Sequence, residues 1–225
     1  MSTLSAVIAA RGGSTRVKNK NIRKFHNSSL LELKIKILKK IKNIEKIYVS
    51  SENKKILKLS SKLGAVPIQR DDYYSSNIVS MNEVYKNVVE SIPSKHILFV
   101  HITSPLIQKS TIENCIKKYY EIIKGKKFDS LATVSELQKF IWFKNKPINY
   151  KPSNMPRSQD LPNYYMLNFA INILKKKLIL KNKNIVGKNF YPFFLDEIQS
   201  FDIDNMIEFK IAEKILSSKL IDINK

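Results

Sequence analysis

The chain contains one cysteine, Cys115, in 225 residues. A lone cysteine excludes an internal disulfide framework and suits a reducing compartment. Its plain reading is a small apolar side chain in the core. No apolar run approaches the roughly 20 residues that cross a bilayer. The start, Met1 to Ala10, lacks the basic segment and long apolar core of a secretory signal. These absences predict a cytoplasmic protein with no membrane partner. Acidic residues are also few, 19 against 40 basic ones, for a formal charge of +21. Arginine is scarcer still, present only as Arg11, Arg16, Arg23, Arg70 and Arg157. Nucleic-acid readers favour arginine for its bidentate geometry. The lysines that carry the charge are spread along the chain, which predicts a solvated surface and no nucleic-acid partner. A basic nucleic-acid-binding protein is the rival of another class.

What is present is an alternation of apolar runs and amphipathic stretches, the pattern of an α/β domain with a mostly parallel sheet. Hydrophobic residues make up 43%, ordinary for a globular chain, and the length suits one domain, 1–225. Leu4 to Ala10, Ile44 to Val49, Ala65 to Ile68, His96 to Ile102, Asp129 to Val134 and Asn168 to Leu174 read as strands. Helices are expected over Ser29 to Ile41, Lys54 to Leu63, Met81 to Ile92, Lys109 to Lys124 and Asn205 to Ser218. Gly64 should stop the second helix, and Ser80 with Glu83 forms a capping-box signature for the third. Phe140 to Pro162, with Pro147, Pro152 and Pro156, reads as an irregular excursion from the sheet.

The loop after the first strand runs Arg11-Gly12-Gly13-Ser14-Thr15-Arg16-Val17-Lys18-Asn19-Lys20-Asn21. Ligands of open α/β sheets bind beyond the carboxyl ends of strands. Two glycines let backbone N–H groups approach phosphate oxygens, and Arg and Lys supply counter-charge. The Walker spacing is absent, so this is not a P-loop. An ordinary solvated loop is the alternative.

From Ile8 to Ser14, with Lys20-Asn21-Ile22, the chain resembles the opening signature of acylneuraminate cytidylyltransferases. These are the CMP-sialic acid synthetases and their bacterial relatives for pseudaminic and legionaminic acids. Further segments agree in order: Arg70-Asp71; Thr103-Ser104-Pro105-Leu106; Pro156 to Pro162 with Tyr164, Tyr165 and Asn168; and Phe201-Asp202-Ile203-Asp204 with Glu208-Phe209 and Ala212-Glu213. The resemblance implies a Rossmann-like domain of the nucleotide-diphospho-sugar transferase type, with a dimerisation and sugar-side excursion at about residues 139–167. It implies transfer of CMP from CTP to the anomeric hydroxyl of a nine-carbon, sialic-acid-like sugar acid by a homodimer.

The roles implied are these. Arg11 and Lys20 hold the CTP phosphates beside Gly12, Gly13 and Ser14, and Asn21 holds the nucleotide. Arg70 and Ser80 line the nucleotide pocket. Asp202 and Asp204 bind Mg²⁺. Arg157 faces the sugar carboxylate, with Ser104, Gln159, Tyr165 and Asn168 on the sugar side. Plainer readings stand beside them. Asp204 is a good N-cap for the last helix, Ser80 is a cap, Arg157 suits an interface ion pair, and Tyr165 suits packing. His101 stands where sialate enzymes commonly carry glutamine. It reads either as a general base for the anomeric hydroxyl or as a structural, hydrogen-bonded histidine. Ser14-Thr15-Arg16 is also similar to the first loop of CMP-Kdo synthetases, so Kdo or another sugar is the enzymatic alternative. Phe169 stands where many relatives have glycine.

Overall fold

The structure, a computed structural model, describes residues 3–14, 16–76 and 78–225. Thr15 of the first loop lies outside the described residues. β1 (Leu4–Ala9) leads, buried along nearly its whole length. A short hairpin of β2 (Lys24–Phe25) and β3 (Ser28–Ser29) follows and enters α1 (Leu30–Lys39). Ser29 caps α1 by accepting the Glu32 N–H. Next come β4 (Lys46–Ser51), α2 (Lys54–Lys62) and β5 (Val66–Gln69). Gly64 ends the α2 turn at φ +81°, a conformation that costs other residues a Cβ clash. The order continues through α3 (Met81–Glu90), β6 (His96–Val100), α4 (Lys109–Ile122) and β7 (Ser130–Leu137). A small hairpin, β8 (Trp142–Phe143) and β9 (Lys146–Pro147), stands in the excursion. Then come β10 (Tyr164–Lys175), α5 (Lys176–Asn182), β11 (Phe190–Phe194) and α6 (Met206–Ser217).

Seven strands form the main sheet in the order β11-β7-β10-β6-β1-β4-β5. β4 and β6 flank β1 in parallel, and β5 extends the sheet beside β4. β10 runs antiparallel to both β6 and β7, while β11 is parallel to β7. Six strands therefore point one way and β10 the other.

Helices cover both faces. Ile8, Leu98 and Ile173 meet Ile35 of α1, Ile112 of α4 and Phe209 of α6 on one side. Val7, Phe99 and Leu174 meet Val84 of α3 and Ile179 of α5 on the other. A sheet covered twice needs strands that are apolar throughout, which is why β1 and β6 read as continuous runs. Each fully buried Leu or Ile contributes about 1.5–3 kcal/mol, so the core needs no metal or disulfide staple. Cys115 is buried in α4 within that core, and burial pushes its thiol pKa up.

β10 starts at Tyr164, earlier than the expected Asn168. Its first residues pair only with β7 and keep their side chains exposed, so no buried run marks them. β11 was not anticipated because Pro192 interrupts its pattern; an edge strand tolerates proline.

Candidate active site

The carboxyl ends of β1, β4, β5 and β6 open on one side of the sheet, and the first loop lies across them. Ala10 N–H donates to the Ser50 carbonyl at 2.9 Å, which holds the loop's start against β4. Asn21 closes its far end. Its Nδ2 donates to the Arg11 carbonyl at 2.9 Å, and its own carbonyl accepts the Leu31 N–H of α1 at 3.0 Å. The Asn21 Oδ1 is buried with no hydrogen-bond partner among the described residues. Leaving such an acceptor unmatched costs about 1–3 kcal/mol, so it suits a hydroxyl donated by a ligand.

The two glycines differ. The Gly12 N–H is already taken by Glu52 Oε1 at 2.5 Å, and a Cβ there would stand 2.8 Å from the Asn53 Cβ. Gly12 is thus required for close packing against the α2 cap. A Cβ on Gly13 would meet nothing within 4 Å, so that part of the loop faces open space.

Asp202 and Asp204 lie just ahead of α6. Asn205, and not Asp204, is the helix cap. Its side chain accepts the Glu208 N–H at 3.0 Å, and the Glu208 carboxylate accepts the Asn205 N–H at 2.9 Å. The Asp204 carboxylate is instead paired with Arg16 Nη2 at 2.9 Å, both groups being exposed. Lys20 Nζ donates to the Ile203 carbonyl between the two aspartates at 2.5 Å. Burial raises the Asp202 pKa; the Thr103 hydroxyl and Lys20 oppose that rise, while Asp204 adds to it. Burial also lowers the Lys20 pKa, against the pull of Asp202 and Asp204.

A divalent cation between the two carboxylates would relieve their repulsion. Among the described residues, no cluster of three or more His, Cys, Asp or Glu side chains encloses an ion. An ion at Asp202 and Asp204 would complete its shell with water and phosphate oxygens. That is the habit of Mg²⁺, so the donor set fits it.

Two cavities meet at Ala9 and Arg11. The smaller, about 240 Å³, is lined by Arg11, Ser14, Arg16, Lys20, Asn21 and Asp204 among others. It is cationic and polar, suited to phosphates. The larger, about 460 Å³, lies between β6, α3 and the segment after β5, with Arg70, Tyr74, Tyr85, Phe99 and His101 in its wall. Its aromatic and apolar lining suits a flat ring. Arg70 is buried and donates to the Ser50 carbonyl at 2.6 Å. Burial lowers its pKa, and the nearby Glu52 carboxylate pulls it back up. Ser80 caps α3 by accepting the Glu83 N–H at 3.3 Å, between two residues that line this cavity, Val79 and Met81.

At the end of β6, His101 N–H donates to the Ala170 carbonyl at 3.0 Å. Burial first, and the Lys34 charge second, bring the imidazole pKa down to about 4, so the ring is neutral near pH 7. Ser104 is buried, its hydroxyl has no hydrogen-bond partner among the described residues, and its carbonyl accepts Lys34 Nζ at 2.7 Å. Lys34 is 1% exposed, and burial brings its pKa down to about 7.

The remaining sugar-side residues lie outside both cavities of their own chain. Arg157 is exposed and makes a forked pair with Asp160 at 2.7 and 3.3 Å. The Gln159 carbonyl accepts from Gln138 at 3.3 Å. Tyr165 packs edge-on against Phe194, with ring centroids 5.8 Å apart. Asn168 bonds Thr133 and Ser135 of β7. Sequence reasoning missed Glu52 and Lys34. A lysine inside the apolar face of α1, between Leu31 and Ile35, was the available signal for Lys34.

Known proteins are similar to this chain in sequence and in fold. The chain is 28% identical to the post-translational flagellin modification protein B of Campylobacter coli, over 97% of both chains. It is also 28% identical to a CMP-N,N'-diacetyllegionaminic acid synthase of Campylobacter jejuni, again over 97% of both. A pseudaminic acid cytidylyltransferase of the same species is 27% identical over 92% of this chain and 93% of its own. Among solved structures, CMP:2-keto-3-deoxy-manno-octonic acid synthetase complexed with CTP superposes with a TM-score of 0.72. That match has 11% identity and covers 97% of this chain and all of the other, so it speaks for the fold. The family described as Cytidylyltransferase matches residues 5–215, a span that takes in the first loop, both cavities and the paired aspartates. The chain belongs to the cytidylyltransferase family.

Proposed function

We propose that the protein transfers CMP from CTP to the anomeric hydroxyl of a sialic-acid-like, nine-carbon sugar acid, with release of pyrophosphate. The observation that carries this reading is the junction at Arg11 of a cationic cavity and an aromatic one, beside the paired aspartates. Relatives named for CMP-legionaminic acid synthesis and pseudaminic acid cytidylyl transfer favour a nonulosonic acceptor over Kdo.

In this reading the cytosine ring lies in the larger cavity near Arg70, and the triphosphate crosses Arg11 toward Lys20. A ribose hydroxyl donates to the orphaned Asn21 Oδ1. The anomeric oxygen attacks the α-phosphorus, the bond to the pyrophosphate oxygen breaks, and the hydroxyl proton is lost to solvent or a nearby acceptor. Asp202 and Asp204 would hold Mg²⁺, which supplies charge neutralisation at the α-phosphate and the leaving pyrophosphate. Arg11 and Lys20 orient the phosphates in line. The neutral His101 offers a hydrogen bond in place of strong basicity.

The excursion supports a homodimer. Trp142 and Phe143 are 56% and 63% exposed, and Ile148, Met155, Tyr164 and Met166 are exposed with them. So many exposed apolar side chains in and beside one short excursion favour an interaction site there. Arg157 lies outside the cavities of its own chain, so a role at the sugar carboxylate would run through the assembled dimer. Light scattering of Trp142→Glu/Phe143→Glu should report a monomer if this face joins two copies.

The deciding experiment is pyrophosphate release with each of CTP, ATP, GTP and UTP against a panel of nonulosonic acids and Kdo. Preference for CTP with a nonulosonic acid is expected. Equal rates with all four nucleotides, or turnover with Kdo alone, would overturn the reading.

A further inference from the structure

Phe169 sits in β10 at φ +57°, the left-handed region that a bulky side chain seldom occupies. Such backbone persists only where its surroundings hold it, and it concentrates at functional sites. Here the surroundings do hold it. Asn168 Oδ1 accepts from Thr133 Oγ1 at 2.6 Å and from the Ala170 N–H at 3.2 Å. Asn168 Nδ2 donates to Ser135 Oγ at 2.9 Å, and Thr133 Oγ1 accepts the Ile171 N–H at 2.9 Å. These bonds span the register shift between Leu167 and Asn172, so Phe169 rides on a pinned bulge. Phe169 is 37% exposed, and its ring lies near His101, with centroids 6.1 Å apart and planes inclined by 31°.

The sheet order gives the pair its meaning. Arg70 follows β5, Arg11 follows β1, His101 follows β6, and Phe169 lies in β10, the next strand across. The larger cavity spans the sheet from Arg70 to His101. A molecule approaching a phosphate at Arg11 from the side opposite that cavity's far end comes in over β6 and β10. We propose that Phe169 is a specificity-determining residue, its ring a fixed wall beside His101 that limits the bulk of the acceptor's acyl substituents. The assignment rests on the reading that CTP fills the two cavities and the sugar acid enters over β10.

The test is steady-state kinetics of wild type, Phe169→Ala, Phe169→Gly and Phe169→Trp. CTP is paired with nonulosonic acids that differ only in the size of their N-acyl groups. With the Ala and Gly variants, the ratio of kcat/KM for the bulkier to the smaller acceptor should rise at least tenfold, with the KM for CTP within twofold of wild type. With Phe169→Trp the ratio should fall. Thermal unfolding separates the ring from the backbone: Phe169→Gly should melt higher than Phe169→Ala, because only glycine accepts φ +57° freely. Unchanged acceptor ratios in folded variants with normal CTP binding would overturn the wall alone. No pyrophosphate release by wild type with any acceptor would overturn the reaction reading and the wall with it.

Discussion

Lys20 Nζ and the Ile203 carbonyl are joined at 2.5 Å across 183 positions of the chain. The bond ties the first loop to the backbone between the two aspartates. Movement of either segment therefore moves the other, and the cations and carboxylates share one frame.

Asp204 is relieved of capping by Asn205. Asp204→Asn should therefore leave the melting temperature unchanged while removing a charge from the proposed Mg²⁺ site. Turnover should fall by about 10²-fold or more, the scale set by misplaced reacting groups, and the Mg²⁺ concentration for half-activity should rise. Mg²⁺-titrated pyrophosphate release alongside thermal unfolding measures both. Wild-type turnover in this variant would remove Asp204 from the ion site.

Gly12 and Gly13 should separate by substitution. Gly12→Ala forces a Cβ onto Asn53 and should destabilise the fold by about 1–3 kcal/mol, the usual cost of overpacking. Gly13→Ala meets no neighbour and should change stability by less than about 0.5 kcal/mol. Urea unfolding of both variants checks the difference.

His101 should leave no limb in the pH–rate profile near 6.5, because its imidazole is already neutral there. An essential base with an ordinary histidine pKa would give a kcat/KM that falls tenfold per pH unit below that point. His101→Gln should keep the same profile shape above pH 5, with a lower plateau if the hydrogen bond matters. A limb near 6.5 in wild type that vanishes in His101→Gln would show His101 acting as the base.

Lys34 should tilt stability with pH. Its folded pKa is about 7 against 10.5 for an ordinary lysine. Between those values the unfolded chain binds the proton and the folded one does not, so stability rises with pH across that window. Below about pH 7 both states are protonated and the slope from Lys34 ends. The rise should be on the order of 1 kcal/mol per pH unit. Lys34→Met should lack that component, which urea unfolding at pH 7, 8.5 and 10 would show as a flatter curve.

The parallel part of the fold was legible because burial on both faces makes a strand such as His96–Val100 apolar throughout. Helix starts were legible where a side chain does local work, as Ser29 and Ser80 do. α5 and β11 were not, since a short lysine-rich helix and an edge strand containing Pro192 carry little pattern. Within the site, Arg11, Lys20, Asn21 and Asp204 were readable from motifs and do line one cavity. Glu52 escaped because its task, accepting the Gly12 N–H and the Ser75 hydroxyl, depends on two distant loops meeting. Asp204 reads in sequence as a cap because Asp and Asn compete for that position; only the backbone register chooses Asn205.

The Lys20–Ile203 bond also sets a clock on biosynthesis. At about 5–20 residues per second, a ribosome that has added Lys20 needs roughly ten to forty seconds to reach Ile203, the 183rd residue beyond it. Through that interval the first loop exists without its carboxylate partners. A nascent chain can hold both β1 and β4 early, but the nucleotide affinity proposed to depend on Asp202 and Asp204 arrives only once the segment ahead of α6 has left the ribosome. Ribosome-bound chains stalled before and after that point should differ in nucleotide retention even where their sheets are equally protected from protease.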